Sequence, residues 1–154
     1  MFLSDKDIKE LMKRKDDPLG IKPYNEARLT PNGYDMAVEV LDKDGNPIPG
    51  TTYEIKPNEL IKVRTVETIE TPNGHMGLML LRSRYTRQGL MGLFAVIDSG
   101  FKGVIKASIK NLSGDTIPIK LDDGVIHLIL ARMSSDSETP YGTDSSKHHW
   151  QNQK

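Results

Sequence analysis

The sequence predicts an all-β domain, a sandwich or barrel, with one short helix at its N-terminus. Eight short runs of strand-like composition recur, at 35–41, 52–56, 60–67, 76–81, 93–97, 104–109, 117–121 and 125–131. Turn signals separate them, among them Asp44-Gly45-Asn46-Pro47, Pro72-Asn73-Gly74, Ser113-Gly114-Asp115 and Asp122-Asp123-Gly124. Many short alternating runs broken by Gly and Pro are the pattern of packed or closed antiparallel sheets.

The elements follow in order. Ser4 is placed to cap a helix, with Asp7 three residues on and Ile8, Leu11 and Met12 at helical spacing, so a helix is expected over 5–14. Asp16, Asp17, Pro18 and Gly20 end it. The strands follow, interrupted by a helical turn around 85–89. No internal repeat or linker marks a second domain, so residues 1–133 are read as one domain. Residues 134–154 change to Ser, Asp, Thr, Lys and His. They read as a flexible tail, either inert or, through Tyr141 and Trp150, a segment that closes over a ligand.

Composition removes several functions. Formal net charge is zero, which gives no basic excess for nucleic-acid binding by counterion release. Cysteine is absent, so disulfides, thiolate metal sites and the zinc base deaminases are excluded. No run of 18 apolar residues occurs and the first residues are mostly charged, so a soluble cytoplasmic protein without a membrane partner is expected. Phosphate loops of the P-loop or Rossmann kind are absent. His75, His148 and His149 are too scattered for a zinc site.

Two stretches carry chemistry. Residues 96–103 read Val-Ile-Asp-Ser-Gly-Phe-Lys-Gly, which places Asp98 at the end of an apolar run, before a tight turn that bears Phe101. A carboxylate leaving a strand into such a turn can sit at a pocket wall, with the aromatic against a ring. Residues 82–90 read Arg-Ser-Arg-Tyr-Thr-Arg-Gln-Gly-Leu. Guanidinium forks and a serine hydroxyl suit phosphate oxygens, although such a segment can equally be a charged surface turn.

Together these stretches resemble the conserved motifs of the dUTPase superfamily, which also contains the dCTP deaminases. Residues 96–111 resemble its third motif, which reads Gly-Val-Ile-Asp-x-Asp-Tyr-x-Gly in dUTPases. In dCTP deaminases it reads Ile-Asp-Pro-Gly-Phe-x-Gly, with a catalytic Glu ten residues after the Asp; here that position is Ser108. Arg82, Ser83, Arg87, Gly89 and Leu90 match the deaminase form of the second motif, while Arg84 and Gln88 depart from it. Pro31-Asn32-Gly33-Tyr34-Asp35-Met36 resembles the first motif. Residues 122–128 resemble the fourth, with His127 where the family usually places Gln. Tyr141, Lys147 and Gln151 match the deaminase C-terminus.

The resemblance implies a jelly-roll β-barrel that assembles as a homotrimer with sites between subunits. The deaminase-like ends place the chain in that branch, and loss of the deaminase Glu points to dUTP hydrolysis to dUMP and pyrophosphate. Asp98 would be the general base. Arg82, Ser83 and Arg87 would hold the triphosphate, with Mg²⁺ carried on the phosphates and no protein metal ligands. Phe101 would pack on the deoxyribose, His127 would contact substrate, and Tyr141, Lys147 and Gln151 would close the site. One small barrel is expected to hold the third motif and the tail too far apart to close one pocket. The alternatives are a dCTP deaminase, or a bifunctional deaminase-diphosphatase, and a non-catalytic nucleotide-binding trimer.

Overall fold

A computed structural model describes residues 1–143. Lys147 and Gln151 lie outside the described residues. The chain begins with helix α1 (Asp5–Met12), fixed by a capping box: the Asp7 amide donates to Ser4 Oγ at 3.3 Å and the Ser4 amide donates to Asp7 Oδ2 at 2.9 Å. Ile8 and Leu11 form its buried stripe. The helix is two residues shorter than the spacing predicts, because the Lys13 amide donates to Glu10 O at 3.1 Å and the Arg14 amide to Leu11 O at 3.4 Å, which closes the last turn. Strands β1 (Gly20–Lys22), β2 (Leu29–Thr30), β3 (Gly33–Met36), β4 (Val38–Leu41) and β5 (Thr52–Ile55) follow. Next come β6 (Leu60–Thr65), β7 (Thr68–Glu70) and β8 (His75–Leu81), then the one-turn helix α2 (Ser83–Thr86). Strands β9 (Leu90–Leu93), β10 (Val96–Ile97), β11 (Lys102–Gly103), β12 (Lys106–Asn111), β13 (Ile117–Lys120) and β14 (Ile126–Arg132) complete the described elements.

The described strands form four antiparallel sheets. The larger two have the orders β10-β8-β14-β3-β2 and β4-β6-β12-β9, and the smaller are β1-β7-β11 and β13-β5. Alternate residues of the two larger sheets meet in one core: Tyr34, Met36, Leu128 and Leu130 from the first, Val38, Val40, Val63 and Ile109 from the second. Each such side chain contributes about 1.5–3 kcal/mol when fully buried.

The expected strand over 35–41 is in fact two strands in two sheets. The break is at Ala37, whose amide donates to the Glu67 carboxylate at 3.0 Å instead of to a ladder partner. The Glu67 side chain is wholly buried and ion-paired to Arg28 at 2.6 Å. Burial pushes its carboxyl up from the ordinary value, against the opposing pull of the Ala37 amide and Arg28. Arg28 Nη2 also donates to the carbonyl of Asp122, so one arginine ties the start of the barrel to the turn before β14.

Candidate active site

Three predicted residues meet at one cleft. Asp35 on β3 and His127 on β14 are direct cross-strand partners, and His127 Nδ1 lies 2.7 Å from Asp35 Oδ1. The other carboxylate oxygen pairs with Arg82 Nε at 3.0 Å. Arg82 Nη1 donates to the carbonyls of Asp123 at 2.5 Å and Gly124 at 3.2 Å, and the Arg82 amide donates to Val125 O at 3.1 Å. Gly124 lets that turn close: its φ is +70°, and a Cβ there would stand 2.8 Å from Asp35 Cβ. Arg82 is therefore held by Asp35 and the 123–125 backbone before any ligand arrives. Ser83 and His127 border the same cleft, of about 320 Å³.

Helix α2 fixes the neighbouring positions. The buried Tyr85 anchors it: the Lys120 amide donates to the Tyr85 hydroxyl at 3.0 Å, and the Arg84 guanidinium lies 4.7 Å over the Tyr85 ring. Ser83 is the first residue of the helix and Arg87 follows its last; both are exposed. Arg87 borders an adjoining apolar groove of about 480 Å³ with Met79, Leu80 and Phe94. The helical turn expected at 85–89 thus forms earlier, at Ser83–Thr86.

Asp98 and Phe101 occupy a separate place. Asp98 follows β10 and is exposed, with no ion pair or side-chain hydrogen bond among the described residues. The Phe101 amide donates to Asp98 O at 3.1 Å, closing a turn whose third residue, Gly100, has φ +81°. A Cβ on Gly100 would also stand 2.8 Å from Pro140 Cβ, so glycine serves both the turn and the packed C-terminal segment. Ser99 is buried, donating to Asn73 Oδ1 at 3.0 Å and accepting from the Gly74 amide at 3.1 Å. Asn73 in turn accepts from the Ser137 amide at 2.9 Å and donates through Nδ2 to Ser137 O at 3.2 Å. The Tyr141 amide donates to Ser99 O at 2.7 Å, and the Tyr141 ring lies 5.7 Å from that of Phe101, tilted by 53°. The expectation that one barrel keeps the third motif and the tail apart is therefore corrected. Asn73 and Ser99 bring Tyr141 onto Phe101 within one chain. Asn73 was read only as a turn residue, and nothing in the sequence marks it as the hub of this contact.

The distant pair is instead Asp98 and Arg82. Strand β10 pairs with β8 so that Ile97 faces Gly77, which sets Asp98 level with Met76. Arg82 lies six residues further along the same line, about 20 Å at the rise of an extended strand. Ser108 sits on β12 opposite Lys62 of β6 and Leu93 of β9. Alternation puts Ser108 on the same face as Lys106 and Lys110. The acid among the four strands of that sheet is Glu39, paired to Arg64 at 2.6 Å. Among the described residues no three His, Asp or Glu side chains converge to hold a metal. Also among them, no helix is long and apolar enough to cross a membrane.

The class of protein that carries this antiparallel β-fold, with its Arg-Ser turn after β8 and its acid-bearing Gly turn after β10, comes from comparison with known proteins. A dCTP deaminase-like family model matches residues 39–133. The chain belongs to the dUTPase and dCTP deaminase superfamily. It is 32% identical over 141 residues to a dCTP deaminase of Thermococcus kodakarensis, covering 83% of this chain and 86% of the relative. It is 34% identical over 151 residues to a probable deoxyuridine 5'-triphosphate nucleotidohydrolase of Sulfolobus islandicus rod-shaped virus 1, covering 92% and 90%. In fold it is similar to a Staphylococcus bacteriophage 80alpha dUTPase solved with dUpNHpp: TM-score 0.54 and 17% identity over 79% of this chain and 94% of that one. A dUTPase from phage phi11 of S. aureus, whose structure concerns coordination of a structural Mg(II) ion, gives TM-score 0.54 and 18% identity over 79% and 94%.

Proposed function

We propose that this chain is a dUTP diphosphatase that acts as a homotrimer. One observation carries the choice over deamination: position 108 is a serine facing Lys62, where the deaminase motif needs a carboxyl. Deamination at C4 requires a group that activates water and then passes its proton to the leaving amine, and a hydroxyl does not shuttle protons so near neutral pH. Asp98, exposed and without a side-chain partner among the described residues, suits a general base. It takes the proton of a water whose oxygen attacks the α-phosphorus, and pyrophosphate leaves. Arg82, Ser83 and Arg87 hold the phosphates, with Mg²⁺ arriving as part of the substrate. His127 borders that phosphate cleft, Phe101 packs on the deoxyribose, and Tyr141, Lys147 and Gln151 cover it.

The separation of Asp98 from Arg82 by about 20 Å favours sites shared between subunits, since base and phosphate clamp must meet on one substrate. Exposed Leu80, Val96, Met91 and Leu93, beside the β9 and β10 edges, suit coverage by like copies. Deamination remains the second reading, favoured by the family match and by the deaminase names of many relatives.

The test is incubation with each deoxynucleoside triphosphate and Mg²⁺, followed by separation of the products. Formation of dUMP from dUTP without ammonia from dCTP is expected; dUTP made from dCTP would select deamination. Asp98→Asn should keep fold and binding while turnover falls about 10²–10⁴-fold. Mixing Asp98→Asn subunits with inactive Arg82→Ala subunits should restore part of the activity if sites are shared, and no recovery would refute sharing.

A further inference from the structure

Among the described residues, two buried side-chain oxygens have no hydrogen-bond partner: Thr30 Oγ1 and Thr71 Oγ1. Thr71 lies beneath the Asp98–Phe101 turn, its backbone bonded to Gly100 and Phe101, and it borders neither cleft described above. Thr30 differs. It ends β2, pairs with Gly33 across the hairpin, and borders the cleft of Asp35, Arg82, Ser83 and His127. A buried hydroxyl left unpaired costs free energy, so native proteins retain few of them, and those they retain call for a reason.

The cleft supplies the reason. Arg82 has Nε and Nη1 engaged by Asp35 and the 123–124 carbonyls, which leaves Nη2 as its unassigned donor nitrogen. The Ser83 hydroxyl has no bond among the described residues, and His127 has Nδ1 committed to Asp35. Arg82, Ser83 and Thr30 thus present donors around one small volume whose fixed acid, Asp35, is already doubly bonded. An anionic oxygen is the acceptor such a group lacks.

We infer that Thr30 is a substrate-binding residue: its hydroxyl, buried in the free chain, turns about χ1 into the cleft and donates to a phosphate oxygen of the nucleotide held by Arg82 and Ser83. This rests on the reading of that cleft as the phosphate site. It adds a residue that lies outside all four motifs, on the strand before the first. It also explains why a β-branched residue with a hydroxyl stands where valine would fill the same space.

The experiment compares wild type, Thr30→Val and Thr30→Ser by calorimetric binding of dUTP, dCTP and inorganic tripolyphosphate, and by thermal melting. Thr30→Val is isosteric and removes the unpaired oxygen, so its melting temperature should equal or exceed that of wild type. Its affinity for the triphosphates and for tripolyphosphate should fall about tenfold or more, and Thr30→Ser should recover most of that loss. Unchanged affinity in Thr30→Val, or a lower melting temperature with unchanged affinity, would overturn the inference and assign the hydroxyl to water or to packing. Wild type that binds tripolyphosphate in a Thr30-dependent way but does not hydrolyse dUTP would refute the diphosphatase reading while the inference stands. Wild type that binds none of the three probes would overturn both.

Discussion

Replacing Arg28 by methionine is expected to be among the most damaging single changes in the barrel. The Glu67 side chain has no exposed surface, and Arg28 pairs with it at 2.6 Å while itself 19% exposed. Methionine fills much of the arginine stem but leaves a buried carboxylate with only backbone amides, those of Ala37 and of Glu67 itself, as partners. Stranding one member of a buried pair costs about 3–5 kcal/mol. At about 2–4 °C per kcal/mol for a domain of this size, melting should fall by roughly 6–20 °C. Glu67→Gln is the control. It keeps an oxygen for Ala37, and the Arg28 left behind can reach water, so the loss should be only about 1 kcal/mol. The pH dependence separates the causes. Burial raises the Glu67 carboxyl above its unfolded value. Its contribution is therefore fully present below the unfolded value, near about 4.3, and is lost as pH rises through the folded one. The deficit of Arg28→Met relative to wild type should thus shrink as pH falls from 8 toward 5, because the stranded carboxyl then takes up its proton. Melting curves followed by circular dichroism at several pH values measure this. Equal losses in the two variants, or a deficit that grows on acidification, would refute the reasoning.

Three further outcomes are expected. Arg82→Met should weaken dUTP binding by roughly 1.5–3 kcal/mol and dUMP binding by less, as read by calorimetry; equal losses would make Arg82 purely structural. Ser108→Glu should release no measurable ammonia from dCTP, because Lys62 directly opposite would pair with the new carboxylate and hold it ionised, and a coupled ammonia assay checks this. Asn73→Ala removes the side-chain bonds to Ser99, Gly74 and Ser137, so it should speed proteolysis within 134–143 and cost about 2–3 kcal/mol of stability.

Much of the barrel was legible because alternation and turn chemistry are local. Strands β8 and β14 fall where period-two apolar residues stand, and Ser4 with Asp7 announced the start of α1. The break at Ala37 was not legible, since 35–41 holds no Gly, Pro or other turn signal. A carboxylate thirty positions later decides it, and Glu67 reads as an ordinary surface acid until the fold buries it. Of the site, Arg82, Ser83 and His127 were found through their motifs and do border one cleft. Thr30 was not found, because threonine on a strand carries no signal beyond its propensity. The docking of Tyr141 on Phe101 was likewise hidden, since it depends on an asparagine whose flanking Pro72 and Gly74 describe only a turn.

The exposure of Leu80, Val96, Met91 and Leu93 has a consequence for handling the protein in solution. Apolar side chains beside open sheet edges invite unselective pairing when a chain is alone. In the proposed trimer, like copies cover them, and folding is then tied to association. Each tenfold dilution removes about 1.4 kcal/mol from every association step. The melting temperature should therefore climb with protein concentration, and dilution would act on this chain as a mild denaturant.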